Sequence, residues 1–430
     1  MKRGFELAER GPDGEPLQPE MNVGTAGHVD HGKSTLVQAL TGIWPERHSE
    51  ELKRGITIKL GYANAELRKC PSCEGDAPSC YTTSRECPIH PGEKTVLLRK
   101  ISFVDCPGHD TLMATMLAGS TLMDAALLVI AANEDVPQPQ TREHLAALKI
   151  MGVKQIIAVQ TKIELVDNEK AIENYEKIVE FLKANLDEVP PVIPVSAING
   201  VNIDYLIREM VRRFKPPERD LTKPPRMYVA RSFDVNRPGT RPDKLVGGVL
   251  GGTIIQGKFS VGDEIELRPG VYAAGKFLPI TTEIVSLRSE TTELHYAVPG
   301  GLIGVGTKLD PAITKADNMV GNVVGLPGEL PPTWQELDIR ATFMERIVGL
   351  REEIETRRPK PRELITLNVG TATVPVIVKT IDPEDNLTAI LRIPVCAEEG
   401  QRLAISMRIG GRWRLVGYGF IEGGSEYKPG

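Results

Sequence analysis

The sequence has few aromatic residues, few cysteines and no long apolar run. Aromatic residues make up 5% of the 430 residues, and there are six cysteines. The most apolar run, LMDAALLVIAA, contains Asp124 and is too short to cross a bilayer, so no membrane partner is expected. Four of the six cysteines fall between Cys70 and Cys87, which argues against a secreted disulfide framework and favours a cytoplasmic protein.

The charge balance excludes a strongly basic chain. The formal net charge is −5. A local basic patch remains compatible with this value, because salt screens distant charges from one another. The first 20 residues are polar, are rich in glycine and proline, and lack the apolar core of a signal peptide. They predict a flexible N-terminal extension over residues 1–20.

The length of the chain suggests about three domains. Apolar runs of strand length alternate with helical patterns over residues 21–215, which predicts an α/β domain with a mostly parallel sheet. The proline-rich stretch KPPERDLTKPP ends this pattern. Short β-prone runs separated by glycine turns then predict two β-barrels, over residues 219–327 and 332–430.

The stretch GHVDHGKS, residues 27–34, fits the pattern GxxxxGK[ST] between a predicted strand and a predicted helix. In this pattern the backbone N–H groups of the loop surround a phosphate chain. The lysine, here Lys33, reaches the outer phosphates, and the hydroxyl after it, here Ser34, holds Mg²⁺. The stretch therefore predicts a P-loop that binds a nucleotide.

Two further segments suit the triphosphate end of such a site. FVDCPGHD ends a strand at Asp105, whose carboxylate can hold Mg²⁺ through water, and Gly108 allows a backbone N–H to approach the terminal phosphate. ELKRGITIKLGY places Thr57 in a segment that can fold over Mg²⁺ when the last phosphate is present. Taken alone, the first segment is more typical of a strand followed by an ordinary Pro-Gly turn, and position separates the second only weakly from a solvated loop.

TKIE and SAI follow successive predicted strands, where base recognition falls in this layout. A carboxylate such as that of Glu164 accepts two hydrogen bonds from the edge of guanine, which adenine does not offer in that form. A pocket built on such a pairing rejects the wrong base by roughly 10⁴-fold. Guanine is therefore preferred over adenine as the base.

In combination, GHVDHGKST, RGITIKLGY, DCPGHD, TKIE and SAI resemble the translational GTPases, and within them the gamma-subunit family of archaeal and eukaryotic translation initiation factor 2. The resemblance covers nearly the entire chain after Glu20. It implies a GTP-binding domain followed by two β-barrels, as in elongation factor Tu. It also implies that the chain carries initiator methionyl-tRNA to the small ribosomal subunit, together with alpha and beta subunits of the same factor.

The resemblance also implies roles for individual residues. The residues that hold the phosphates of GTP or GDP are Asp30, His31, Gly32, Lys33, Ser34, Thr35 and Gly108. Those near Mg²⁺ are Ser34, Thr57 and Asp105, with a second ion near Asp30 and the carbonyl of Gly55. Those that contact the base are Thr161, Lys162, Glu164, Ser196, Ala197 and Ile198. His109 orients the attacking water, and Val29 and Ile56 form an apolar gate beside it.

The sequence departs from the family pattern in the base-binding element, where TKIE replaces NKxD. Thr161 takes the place of an asparagine that braces the loop, and Glu164 is one methylene longer than aspartate. A hydroxyl can still brace a loop, and a glutamate can still accept both guanine hydrogens, so guanine preference is expected to persist. No internal arginine finger is assignable, so hydrolysis by the chain alone is expected to be slow.

The insert at about residues 68–92 contains a CxxC pair, Cys70 and Cys73, followed by a CxxH pair, Cys87 and His90. Two close ligand pairs separated by a loop suit a tetrahedral structural Zn²⁺, which stabilises a small loop that lacks a core. Cys80 remains an alternative fourth ligand in place of His90.

Other functions remain open from the residues alone. The nearest rivals are a selenocysteine elongation factor and the GTPase subunit of sulfate activation, and a more distant one is a P-loop kinase. Arginines in the barrel turns are equally explained as solvated surface or as core packing, so no tRNA contact is assigned.

Overall fold

The computed structural model describes residues 8–45, 59–109, 112–237, 239–349 and 354–428. The chain divides into two compact units. One contains residues 19–217 with 348–352, and the other contains residues 1–18, 218–347 and 353–430. Among the described residues, no helix combines the length and the apolar character needed to cross a membrane.

The first unit is built on a seven-stranded sheet with the order β3-β2-β4-β1-β5-β6-β7. Its strands are β1 Met21–Ala26, β2 Gly61–Lys69, β3 Tyr81–Thr82, β4 Val96–Asp105, β5 Ala125–Ala131, β6 Gln155–Thr161 and β7 Val192–Pro194. Strands β4, β1, β5, β6 and β7 pair in parallel, whereas β2 pairs antiparallel with both β4 and β3. The carboxyl ends of the parallel strands therefore meet at one edge of the sheet.

A helix follows each of the parallel strands β1, β4, β5, β6 and β7. These helices are α1 Lys33–Thr41, α2 Met113–Ser120, α3 Pro139–Met151, α4 Asn168–Asn185 and α5 Ile203–Arg213. Local sequence sets their ends: Gly42 closes α1 in the left-handed conformation, and the side chain of Asp167 caps α4 by accepting the N–H of Lys170. Every residue of β1 and of β5 is buried, as expected for strands covered on both faces.

The second unit contains two barrels. The first has the ring order β11-β16-β8-β9-β15-β12, closed by pairing between β11 and β12. Its elements are β8 Arg226–Phe233, β9 Val249–Gln256, β10 Phe259–Ser260, β11 Glu264–Ala273, β12 Lys276–Ser289, β13 Thr292–Leu294, β14 Tyr296–Ala297, β15 Ile303–Thr307, α6 Pro311–Thr314 and β16 Val323–Gly325. Inward-facing apolar residues such as Met227, Leu250 and Ile265 form its core.

The second barrel is also closed, with the order β17-β20-β19-β18-β21-β22. Its strands are β17 Thr333–Phe343, β18 Leu364–Val369, β19 Ala372–Ile381, β20 Asn386–Cys396, β21 Arg402–Ile409 and β22 Arg412–Glu426. Closure leaves no unpaired edge strand, which is the usual solution for an all-antiparallel sheet. The predicted fold class, an α/β domain followed by two β-barrels, is confirmed.

Residues 8–18, which lie within the predicted flexible extension over residues 1–20, contact the first barrel. Glu9 accepts the backbone N–H of His295 at 2.7 Å and contacts its ring Nδ1, also at 2.7 Å. Gln18 is fully buried and exchanges hydrogen bonds with the backbone of Val298. Leu17 packs against the core of the first barrel. We call residues 8–18 the strap; composition predicted it to be loose, but these contacts hold it on the barrel.

Candidate nucleotide site and metal centre

The loop of residues 27–32 connects β1 to α1 and has the backbone of a phosphate cradle. Gly32 and Asp30 adopt left-handed conformations, and Gly32 stands at the N-terminus of α1. A Cβ on Gly27 would lie 2.2 Å from the carbonyl oxygen of Val129, so only glycine fits there. Such a turn directs successive N–H groups toward the helix N-terminus, where anions bind.

Lys33 lies inside this cradle. Its side chain is largely buried, and its ammonium donates to the carbonyl oxygens of Gly27 and His28, at 3.1 and 2.7 Å. Gly108 approaches the same group, because a Cβ on Gly108 would lie 2.4 Å from Lys33 Nζ and 2.7 Å from the backbone nitrogen of Val29. The turn after β4 thus closes over the loop, as the sequence pattern predicts for a nucleotide site.

The carboxylate of Asp105, at the end of β4, is fully buried. It accepts the hydroxyl of Thr25 at 2.6 Å and the hydroxyl of Ser34 at 2.7 Å. A carboxylate and a hydroxyl are hard oxygen ligands of the type Mg²⁺ prefers, and here they are in direct contact. Half-buried His109 lies four residues after Asp105. Gly55, Ile56 and Thr57 lie outside the described residues.

The end of β6 contacts the phosphate loop. The hydroxyl of Thr161 donates to the carbonyl oxygen of His31 at 2.7 Å, so the threonine of TKIE braces the loop directly. Lys162 follows with a left-handed backbone and begins the turn of Ile163–Leu165, where Glu164 is exposed.

The residues of SAI follow β7, the strand next to β6. Ser196 is buried and pairs through its backbone with Val201, Ala197 is half-buried, and Ile198 is 77% exposed. The structure therefore places both predicted base-binding segments at the same edge of the sheet as the phosphate loop.

Two histidines of the loop, His28 and His31, and a third behind it, His144, have lowered pKa values. Burial lowers the pKa of His31 to about 4 and that of His144 to about 3, and burial also lowers the pKa of His28. His31 contacts the carbonyl oxygen of Val129 at 3.1 Å and Glu134 at 3.2 Å. His144, on α3, accepts the N–H of Gly27 at 2.9 Å. The sequence patterns did not indicate His144 or Glu134; a polar residue on the apolar face of α3 was the available signal for His144.

The insert between β2 and β4 brings four predicted metal ligands together. The ligand atoms of Cys70, Cys73, Cys87 and His90 lie within 4.8 Å of one another. The distances from His90 Nδ1 to the three sulfurs are 3.4, 3.7 and 3.6 Å. Ligands around a tetrahedral Zn²⁺, with Zn–S near 2.3 Å and Zn–N near 2.05 Å, stand about 3.6 Å apart. The geometry of the donor set therefore suits this ion.

Two features of the insert favour metal binding by this cluster: the lowered pKa of Cys87 and the attachment of the insert to α5. Burial alone raises a thiol pKa, but N–H groups of His90 and Ile89 donate to the sulfur of Cys87 and bring its pKa down to about 7, which favours the thiolate that a metal requires. Asp76 in the same insert pairs with Arg212 on α5 and accepts the hydroxyl of Tyr81. The insert is thereby held against the helix that follows β7.

Known families match the three parts of the chain. Residues 18–216 match the elongation factor Tu GTP binding domain, residues 247–324 match elongation factor Tu domain 2, and residues 335–421 match the C-terminal domain of initiation factor eIF2 gamma. Together with the phosphate loop, these matches define a translational GTPase.

Relatives that match over nearly the whole chain narrow the class of translational GTPase to one family. The chain is 56% identical over 409 residues to the translation initiation factor 2 subunit gamma of Pyrococcus horikoshii, covering 94% of this chain and 98% of the relative. It is 53% identical over 409 residues to the protein of the same name from Methanothermobacter thermautotrophicus, covering 94% and 99%. The chain belongs to the family of translation initiation factor 2 gamma subunits.

Solved structures of other factors share the fold. A bacterial selenocysteine-specific elongation factor superposes with a TM-score of 0.71 at 24% identity, covering 94% of this chain and 58% of that one. Elongation factor SelB from Methanococcus maripaludis, in complex with the GTP analogue GppNHp, gives 0.70 at 22%, covering 95% and 80%. These two structures show likeness of fold alone, because their sequence identity to this chain is below 25%. The relatives above therefore confirm the predicted family rather than its elongation-factor rivals.

Proposed function

We propose that this GTPase carries initiator methionyl-tRNA to the small ribosomal subunit in its GTP state and releases it after hydrolysis. It acts in the cytoplasm together with alpha and beta subunits of the same factor. The observation that carries the proposal is the contact of Ser34 with Asp105 beside a phosphate cradle, in a chain of this family. A site built in this way changes when the last phosphate and its metal leave, which is the basis of a two-state carrier.

In this proposal GTP or GDP lies along the edge formed by β1, β4, β6 and β7. The phosphates are held by Lys33, Gly108 and the loop residues Asp30, His31, Gly32, Ser34 and Thr35. Ser34, Thr57 and, through water, Asp105 would hold Mg²⁺, which would supply positive charge against the phosphates, and Asp30 with the carbonyl of Gly55 would lie near a second ion. Guanine is selected by Lys162, Glu164, Ser196, Ala197 and Ile198, while Thr161 braces the loop.

Hydrolysis by the isolated chain is expected to be slow, because positioning and charge stabilisation supply most of the catalysis of phosphoryl transfer. His109 orients the attacking water in this proposal, and Val29 with Ile56 separates it from that water until the ribosomal complex forms. The insert holds one structural Zn²⁺ through Cys70, Cys73, Cys87 and His90, since all four positions of a tetrahedral ion are filled by protein ligands.

The carrier function is tested by binding. The chain is loaded with GDP or with GppNHp, and its affinities for initiator methionyl-tRNA and for an elongator aminoacyl-tRNA are measured, with and without the partner subunits. Tighter binding of initiator tRNA in the GppNHp state supports the proposal. Lys33→Ala, which is expected to lose nucleotide, is the control that should abolish the difference between states. Equal, weak binding in every state would contradict the carrier function, and equal competition by GTP and ATP would contradict guanine selection.

A further inference from the structure

His144 contacts the phosphate loop from behind. It lies on α3, is 1% exposed, and its Nδ1 accepts the backbone N–H of Gly27 at 2.9 Å. Gly27 is the first residue of the loop, and its Cα faces the carbonyl of Val129 so closely that no side chain fits between them. One side of Gly27 is therefore fixed by β5 and another by an imidazole of α3.

The hydrogen bond requires a defined state of the ring. Nδ1 accepts only when it carries no proton, so the ring must be neutral with its proton on Nε2. Full burial, together with the positive charge of Lys33, favours a neutral ring. The N–H of Gly27 is thus already bonded within the protein, and the phosphate donors of the loop begin after it.

We infer that His144 is a positioning residue for the phosphate loop: by holding the N–H of Gly27, it fixes the direction from which the following N–H groups meet the phosphates. The inference rests on the proposed binding of nucleotide by this loop. Two hydrogen bonds then restrain the loop. One joins His144 to the N–H of Gly27, and the other joins the hydroxyl of Thr161, at the end of β6, to the carbonyl of His31. An ordered loop binds phosphates without first losing conformational entropy.

The functional test uses three variants of the full chain and a fluorescent GDP analogue. His144→Leu keeps the bulk but removes the acceptor, so GDP should bind about 5- to 150-fold more weakly, the range expected when a buried N–H loses its partner. His144→Asn places an amide oxygen near the position of Nδ1 and should restore most of the affinity. Thr141→Val is the matched control: Thr141 lies on the same helix, is fully buried, and its hydroxyl has no hydrogen-bond partner among the described residues. Affinity of His144→Leu equal to that of the wild type would overturn the inference.

A second measurement needs neither nucleotide nor a variant. In nucleotide-free protein labelled with ¹⁵N-histidine, the His144 ring should carry its proton on Nε2 and show Nδ1 as an acceptor. A proton on Nδ1 would overturn the inference even if His144→Leu failed to fold. Failure of all variants and of the wild type to bind GDP, with the expected tautomer present, would instead contradict the proposed nucleotide site.

Discussion

The hydroxyl of Ser34 donates a 2.7 Å hydrogen bond to Oδ2 of Asp105, which joins the start of α1 to the end of β4. The second oxygen of the same carboxylate is engaged by Thr25. Both oxygens of Asp105 are therefore directed by the protein, and the carboxylate has little freedom to reorient. The proposed magnesium ligands are arranged by hydrogen bonds within the fold.

Asp105→Asn is expected to raise the Mg²⁺ concentration required for half-maximal GTP binding. An amide carries no charge, and interactions with charged groups are worth about 1.5–3 kcal/mol, or roughly 10- to 150-fold. The measurement is a Mg²⁺ titration of GTP affinity. Asp187→Asn, an exposed change in the same unit, serves as the control. An unaltered Mg²⁺ requirement in Asp105→Asn would exclude Asp105 from the metal site.

Thr161→Val is expected to weaken GDP binding, because the carbonyl of His31 loses a buried donor at 2.7 Å. The cost of leaving such a group without a partner is about 1–3 kcal/mol. Thr161→Ser retains the hydroxyl and should bind GDP nearly as the wild type does. Equilibrium titration with a fluorescent GDP analogue compares the three proteins. If the valine and serine variants bind equally well, the hydroxyl does not brace the loop.

Metal analysis should find one Zn²⁺ per chain in the wild type and in Cys80→Ser, and none in Cys70→Ser. Cys80 is the informative control, since its thiol contacts that of Cys73 and its carbonyl accepts the N–H of Cys70, yet it is not part of the converging group of four. His90→Ala should also lower the metal content. Loss of zinc from Cys80→Ser alone would assign the fourth position to Cys80.

The contact of the strap with the first barrel should depend on pH. The hydrogen bond with Glu9 raises the pKa of His295 above its ordinary 6.5. Protonated His295 therefore stabilises the contact fully below pH 6.5, and this stabilisation is lost as pH rises through the raised pKa. Partial burial raises the pKa of the Glu9 carboxyl, but the same hydrogen bond lowers it, and the net pKa lies below 4.5. Ionised Glu9 therefore stabilises the contact fully above pH 4.5. The strap should therefore be held best between about pH 4.5 and 6.5.

Hydrogen-exchange protection factors of the His295 N–H measure this contact. They should be a few-fold higher at pH 5.5 than at pH 8.5, since exposed pairs contribute little and are screened by salt. Glu9→Gln should remove the difference. A difference that persists in Glu9→Gln would show that another group is responsible.

His109→Ala is expected to slow single-turnover GTP hydrolysis in the complete ribosomal complex by about 100-fold while GTP binding stays near normal, because positioned groups that assist proton transfer typically contribute that much. His295→Ala, at a histidine on the first barrel, is the matched control. An unchanged rate in His109→Ala would remove this histidine from the mechanism.

Local patterns predicted the parts of the molecule that depend on local sequence. The glycine and lysine spacing of the loop, the strand that ends at Asp105 and the two metal-ligand pairs each occupy a few consecutive residues, and the structure brings each set together. The antiparallel strand β2 has no clear local signal, because its sequence GYANAELRK follows directly on a charged segment that is also typical of a solvated loop.

The contacts that sequence reasoning missed join distant residues. Gln18 bonds to Val298 across 280 positions, and His144 bonds to Gly27 across 117. A polar, glycine-containing segment is typical of a flexible tail until its partner surface is known. A single histidine on a helix likewise carries no local signal of what it will hold.

The ladder between β2 and β4 separates the proposed magnesium site from the proposed zinc site along one hairpin. Gly61 pairs with Asp105 at one end and Lys69 pairs with Val96 at the other, a span of about 27 Å at the usual rise per residue. The insert with its four ligands emerges from the far end. A change in the length of that tip, or an exchange of a cysteine for a histidine there, therefore falls about 27 Å along the ladder from Asp105 and makes no direct contact with the proposed magnesium site.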